Sequence, residues 1–200
     1  MRNNIRKLLS TVPNQLTAAR LVLVFVMWLL AWWKLPVYIG IGTFVSFVTD
    51  VLDGYVARKL NQVSKLGSQF DSLVDHFLLP SALYWLWLFS PEVFIENTGI
   101  CILAVVLYLS SMLLGVIKFR RIGNLHLYSS KASAVAMFLF FSHTLITGEY
   151  NAIFFYITSL MFIVSLMERL VVQLLFSQVN EHMGSVLLAW RDKPLNPIKE

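Results

Sequence analysis

Charge is scarce in this chain, and acid is scarcer still: 14% of the 200 residues are charged, and only eleven are Asp or Glu. A water-soluble domain carries about 25% charged residues, so a soluble enzyme and a disordered chain are both excluded. Cysteine is nearly absent. Cys101 alone cannot close an intrachain bridge, which excludes a disulfide scaffold, and its place in an apolar run gives no information on redox compartment. His and Cys at zinc-like spacing are missing too, as are internal repeats, low-complexity tracts and Gly/Ser linkers.

What the chain has is hydrophobic length. Of its residues 58% are hydrophobic, in runs of about 18 or more that recur from end to end. Length and flanking charge define six spans, 16–33, 37–58, 68–89, 99–118, 131–147 and 151–174, each long enough to cross a hydrocarbon layer about 30 Å thick. Ile5, Leu8, Leu9 and Val12 share one face of a short helix whose other face is basic, which predicts an interfacial helix before the first span. No small-x-small cleavage site follows Trp32–Trp33–Lys34, so a signal peptide is not expected. The expected fold is an all-α integral membrane protein of six transmembrane helices with a short N-terminal interfacial helix. It divides into an interfacial segment 1–14, a membrane domain 15–175 and a cytoplasmic tail 176–200.

The net charge of +5 would suggest nucleic acid on a soluble protein, but the basic residues cluster between hydrophobic segments and record topology instead. Arg2, Arg6, Lys7 and Arg20, then Arg58, Lys59 and Lys65, then Lys118, Arg120, Arg121 and Lys131, then Arg169, Arg191, Lys193 and Lys199 fall on alternate connections. The positive-inside rule places both termini and the two long basic loops in the cytoplasm, and no nucleic-acid partner is expected. Trp32, Trp33, Trp85 and Trp87 gather near the opposite interface, where they read as lipid-facing anchors.

Four of the eleven acids, Asp50, Asp53, Asp71 and Asp75, sit at the cytoplasmic ends of spans two and three. An Asp at the centre of a membrane helix costs about 3 kcal/mol, and four together also repel one another, so the set requires counter-charge. Asp50, Asp53, Gly54, Ala57 and Arg58 form one helical stripe, and Gly67, Asp71 and Asp75 form a second. Facing helices would aim four carboxylates at one volume. Oxygen-only ligands favour Mg²⁺ or Mn²⁺, and two such ions would offset four negative charges. Gly54 and Gly67 leave gaps beside the backbone, for close helix packing or for the approach of a flat group, the latter being the favoured reading. Arg58 has the donor fork that suits a phosphate and is equally suited to an ion pair with an aspartate.

The segment Asp50–Val–Leu–Asp53–Gly54–Tyr–Val–Ala57–Arg58, followed after eight residues by Gly67, Asp71 and Asp75 at four-residue steps, resembles the full motif of the CDP-alcohol phosphatidyltransferases, D-x-x-D-G-x-x-A-R then G-x-x-x-D-x-x-x-D. All eight defined positions match. The resemblance implies a six-helix enzyme that moves a phosphatidyl group from CDP-diacylglycerol to an alcohol and releases CMP. It further implies two bound Mg²⁺ or Mn²⁺ ions, one on Asp50, Asp53 and Asp71, the other on Asp50, Asp71 and Asp75, with Asp75 also the general base. Gly54, Ala57 and Gly67 would accommodate the cytidine, and Arg58 and Ser64 the phosphates.

Pro13–Asn14–Gln15–Leu16–Thr17–Ala–Ala–Arg20 resembles the P-N-x-L-T-x-x-R opening of members that use glycerophosphate or form cardiolipin. Asn14 and Thr17 are suited to helix capping and, by the same resemblance, to contact with the nucleotide. Lys118, Arg121 and Lys131 are the acceptor-binding candidates, Ser129 and Ser130 adding donors, so a phosphorylated alcohol such as glycerol 3-phosphate is preferred. Inositol phosphate and phosphatidylglycerol are alternatives, because His76 stands where glycerophosphate users usually carry Lys, their Arg-Glu pair is missing from span four, and Lys118-x-Arg120 is similar to the inositol-phosphate branch. Homodimerisation, a bacterial cytoplasmic membrane and a cytoplasmic active site are implied as well. From another class, a small cation transporter would also place acids in a membrane, but across its whole depth.

Overall fold

A computed structural model of the chain describes residues 11–60, 62, 64–119 and 127–175. The first ten residues of the expected interfacial helix, Arg120, Arg121 and the tail from 176 lie outside the described residues. Those described fold into helices α1 (Val12–Trp32), α2 (Pro36–Lys59), α3 (Lys65–Phe89), α4 (Glu92–Glu96), α5 (Thr98–Phe119), α6 (Tyr128–Thr147) and α7 (Ala152–Leu175), with no strand among them. Four of these, α1, α2, α5 up to Lys118 and α7, are long and apolar enough to cross a membrane. Together they make this a multi-pass membrane protein. The remaining long helices, α3 and α6, are not among these four; α3 carries Asp71 and Asp75, and α6 a run of Ser, His and Thr.

Proline and a left-handed residue set the first turn. Trp33 ends α1, Lys34 adopts φ 55°, and the N–H groups of Lys34 and Leu35 return to the carbonyls of Ala31 and Leu30. That is the reciprocal bonding of a Schellman cap, with lysine where glycine is usual. Pro36 then opens α2, at a helical position whose N–H would have no partner. A three-residue connection therefore suffices. The structure also places α4 in the expected loop between spans three and four, its Val93 buried.

The described chain divides into two units. The first comprises residues up to Ile95 together with 138–151, and α1 packs in it against α2 and α3. The buried face of α1 runs Asn14, Thr17, Arg20, Val24, Met27 and Ala31, polar at its start and apolar beyond. Trp28 stacks on Tyr84 and meets the edge of Trp85 at 5.7 Å, while its Nε1–H donates to Ser81 Oγ at 3.1 Å. Trp85 is fully buried by this contact, so it is not the lipid-facing anchor expected of it; Trp32, Trp33 and Trp87 are exposed. On α2, Gly40 admits the backbone of α6: a Cβ there would lie 2.9 Å from Ser142 O and 2.7 Å from Ile146 Cγ1.

In the second unit, 96–137 and 152–175, α5 packs against α7. Hydroxyls and amides line the helix contacts: Ser111 Oγ with Gln173 Oε1 at 3.2 Å, Ser133 Oγ with Ser165 Oγ at 3.1 Å, and Ser129 with Glu168. Small hydroxyl residues let membrane helices approach closely and bond across the contact.

Because lipid offers no hydrophobic drive for helix association, the α2–α6 contact depends on close packing at Gly40. Gly40→Ala is expected to lower stability by about 1–3 kcal/mol through overpacking against a backbone atom. Thermal unfolding in detergent measures it; an unchanged midpoint would contradict the close approach.

Candidate active site

The four aspartates converge, as their two stripes require, and at their centre lies a residue from outside the aspartate motif, the arginine that ends the P-N-x-L-T-x-x-R stretch. Arg20 projects from α1 with a side chain wholly shielded from solvent. Its Nη1 donates to Asp50 Oδ1 at 2.6 Å and to Asp75 Oδ1 at 3.0 Å. Its Nη2 donates to Asp53 Oδ2 and lies 3.2 Å from Asp71 Oδ1. Each terminal nitrogen thus holds one carboxylate from α2 and one from α3. A planar guanidinium can do this, whereas an ammonium is a single point of charge. Only the Arg20–Asp53 pair is buried on both sides, and removing one partner from such a pair typically costs about 3–5 kcal/mol.

Solvent access differs among the acids. Asp53 is buried, while the side chains of Asp50, Asp71 and Asp75 retain 40%, 36% and 46% of their exposure. Thr17 Oγ1 lies 3.1 Å from both Asp53 Oδ2 and Pro13 O, so its single proton is shared between them. Asn14 and Thr17 do not cap α1. The helix begins at Val12 with Thr11 as its N-cap, which puts both residues inside the helix on its buried face. The expectation of capping is therefore replaced by contact with the site.

Ser64 is the capping residue, of α3: the Gly67 N–H donates to its Oγ at 3.0 Å. The two motif glycines have different surroundings. At Gly67 a Cβ would sit 2.5 Å from Asn14 Oδ1 and 2.9 Å from Ser64 Oγ, so where α1 crosses the start of α3 a side chain would displace both of these polar groups. At Gly54 it would meet only the end of Arg58, at 3.6 Å. Gly54 therefore leaves open space beside the aspartates rather than a helix contact. Among the described residues Arg58 forms no salt bridge, and it is exposed, as is Ser64; Ala57 is half-buried.

Of the acceptor candidates, Lys118 and Lys131 lie in the second unit, and Arg121 lies outside the described residues. Lys118 Nζ donates to Gln173 O at 2.6 Å and to Leu174 O at 3.1 Å, where it complements the negative end of α7. Lys131 is exposed.

One oxygen each from Asp50, Asp53 and Asp71 lies within 4.8 Å of the others, an all-oxygen donor set that fits a hard divalent cation. The class this defines is a multi-pass helical membrane protein with a carboxylate-rich candidate cation centre. A family model described as CDP-alcohol phosphatidyltransferase matches residues 10–177, and the chain belongs to that family. Curated relatives named CDP-diacylglycerol–glycerol-3-phosphate 3-phosphatidyltransferase include a Rickettsia typhi protein, 38% identical over 74 residues, or 36% of this chain and 42% of that protein. A Bacillus subtilis protein of the same name is 37% identical over 87 residues, 36% of this chain and 45% of its own. The chain thus covers less than half the length of these relatives. No solved structure matches.

The contrast between the glycines is testable. Gly67→Ala is expected to lower stability by about 1–3 kcal/mol as Asn14 and Ser64 are displaced. Gly54→Ala has room, and alanine is the better helix former by about 1 kcal/mol, so its unfolding midpoint should not fall. Equal losses in the two variants would contradict the assigned spaces.

Proposed function

We propose that this chain transfers the phosphatidyl group of CDP-diacylglycerol to glycerol 3-phosphate and releases CMP. The observation that carries the reading is the convergence of Asp50, Asp53, Asp71 and Asp75 on one small volume in a chain of this family. The names of the relatives support glycerol 3-phosphate as acceptor. A cation transporter fits poorly, because these acids gather at adjoining ends of α2 and α3 rather than through the depth of the membrane.

Asp50, Asp53 and Asp71 would hold one Mg²⁺ or Mn²⁺, and Asp50, Asp71 and Asp75 a second. Such cations, when bound, neutralise pyrophosphate charge and make CMP a better leaving group. The open flank of Gly54, with Ala57 and Gly67, receives the cytidine, and Arg58 and Ser64, both exposed, bind the phosphates, with Asn14 and Thr17 alongside. Asp75 has the most exposed carboxylate of the four, and Arg20 engages only its Oδ1. Its other oxygen takes the proton from the acceptor hydroxyl. The hydroxyl oxygen then attacks the phosphorus that carries the diacylglycerol, a new P–O bond forms, and the bond to CMP breaks with its electrons leaving on CMP. Lys118, Arg121 and Lys131 recognise the acceptor phosphate.

The finer architecture belongs to the same proposal: six spans within a domain 15–175, α3 and α6 completing the four apolar helices, an interfacial helix over 1–14, a cytoplasmic tail over 176–200, and a homodimer. The setting is a bacterial cytoplasmic membrane, with both termini and the active site on its cytoplasmic side.

Purified protein given CDP-diacylglycerol, Mn²⁺ and a panel of alcohols is expected to release CMP with glycerol 3-phosphate, the product identified by mass. Asp71→Asn and Asp75→Asn should each reduce release by at least about 10²-fold. CMP formation indifferent to both changes would refute the catalytic assignment. Lys131→Ala is expected to raise the KM for glycerol 3-phosphate by about tenfold. An equal rise for a neutral alcohol would remove Lys131 from phosphate recognition.

A further inference from the structure

We propose that Arg20 is a positioning residue that sets how many divalent cations the aspartates hold, making the second cation dependent on the nucleotide donor. The inference rests on the two-cation reading above and follows from the charge inside the cluster. Both terminal nitrogens of Arg20 are engaged with carboxylates, and no part of its side chain reaches solvent. A guanidinium does not lose its proton in a protein, so this positive charge is permanent. Four ionised aspartates and Arg20 carry a formal charge of −3.

One divalent cation brings that to −1, a favourable step. A second brings it to +1, with the surplus placed beside the buried guanidinium, while the aspartates on its open side keep 36–46% exposure. The pyrophosphate of a CDP-linked donor, with one negative charge on each phosphate, returns the total to −1. Without Arg20 the four aspartates and two cations are already neutral. Arg20 therefore couples the second cation to the arrival of the substrate, and by linkage each favours the other. The same fork also holds the carboxylates of α2 and α3 in register while fewer cations are bound.

The test uses Mn²⁺ and CDP as probes on the detergent-solubilised full chain, with Mn²⁺ binding followed by calorimetry and Mn–Mn coupling by paramagnetic resonance. The wild type is expected to bind one Mn²⁺ tightly alone and a second at least about tenfold more tightly when CDP is present, with the coupled spectrum appearing only then. Arg20→Gln should bind two without CDP, and Arg20→Lys, which keeps the charge but not the fork, should bind one without CDP as the wild type does, with a lower unfolding midpoint. Because a loss of Arg20 alone leaves four carboxylates unpaired, Arg20→Gln is prepared in excess Mn²⁺, whose charge replaces that of the guanidinium.

A wild type that binds two Mn²⁺ equally well without CDP overturns the proposal. So does an Arg20→Gln protein that still binds one, or that fails to fold in excess Mn²⁺, since its role would then be structural. Absence of any Mn²⁺ binding to the wild type, with or without CDP, refutes the two-cation reading itself and is distinguishable from both.

Discussion

The architecture of the first unit depends on one buried cation. Arg20 reaches two carboxylates on α2 and two on α3, and so ties three helices together at the one place where four like charges would otherwise drive them apart. Thr17, one turn before it, adds a hydroxyl to Asp53, the most buried of the acids. Beyond Arg20 the same face of α1 becomes apolar, with Val24, Met27 and Ala31 continuing the contact into the aromatic cluster of Trp28, Tyr84 and Trp85. One helix face thus changes from ionic to dispersive packing within a few turns, and the site lies at the ionic end.

The aspartates were legible in the sequence because charge in an apolar run demands an explanation, and their spacing allowed one face per helix. Arg20 obeys the same rule and ends the P-N-x-L-T-x-x-R stretch, yet its place near the start groups it with the topology-setting basic residues, and its 1% exposure shows that it is no surface charge. A signal existed: Asn14, Thr17 and Arg20 recur at three-residue steps and lead into Val24, Met27 and Ala31, a stripe no lipid-facing surface would carry. Trp85 was misjudged for a related reason. Belt residues and core residues have the same composition near a helix end, and only the crossing of α1 over α3 separates Trp85 from Trp87.

The long helices fell within a few residues of their expected bounds, because length and flanking charge suffice where hydropathy is high. α1 began earlier than expected, since Pro13 and Asn14 are compatible with a first turn and Thr11 can take the N-cap position. α4 was not foreseen; a five-residue helix has too little periodicity to announce itself. The different fates of Gly54 and Gly67 were also hidden, because one letter serves both an open flank and a tight crossing. In the second unit, Lys118 is legible as a cation at a helix end, but its bonds to Gln173 and Leu174 depend on where α7 stops.

The placement of Arg20 in the first helix has a consequence for biogenesis. A ribosome makes α1 before either of the segments that carry its counter-charges, Asp50 and Asp53 in α2 and Asp71 and Asp75 in α3. As α1 leaves the translocon it holds an arginine that lipid tolerates poorly and that nothing yet neutralises. Alone in lipid, α1 would carry that charge unpaired, and only α2 and α3 bring the carboxylates that engage it. A chain truncated after α1 carries a helix without the partners that its arginine engages.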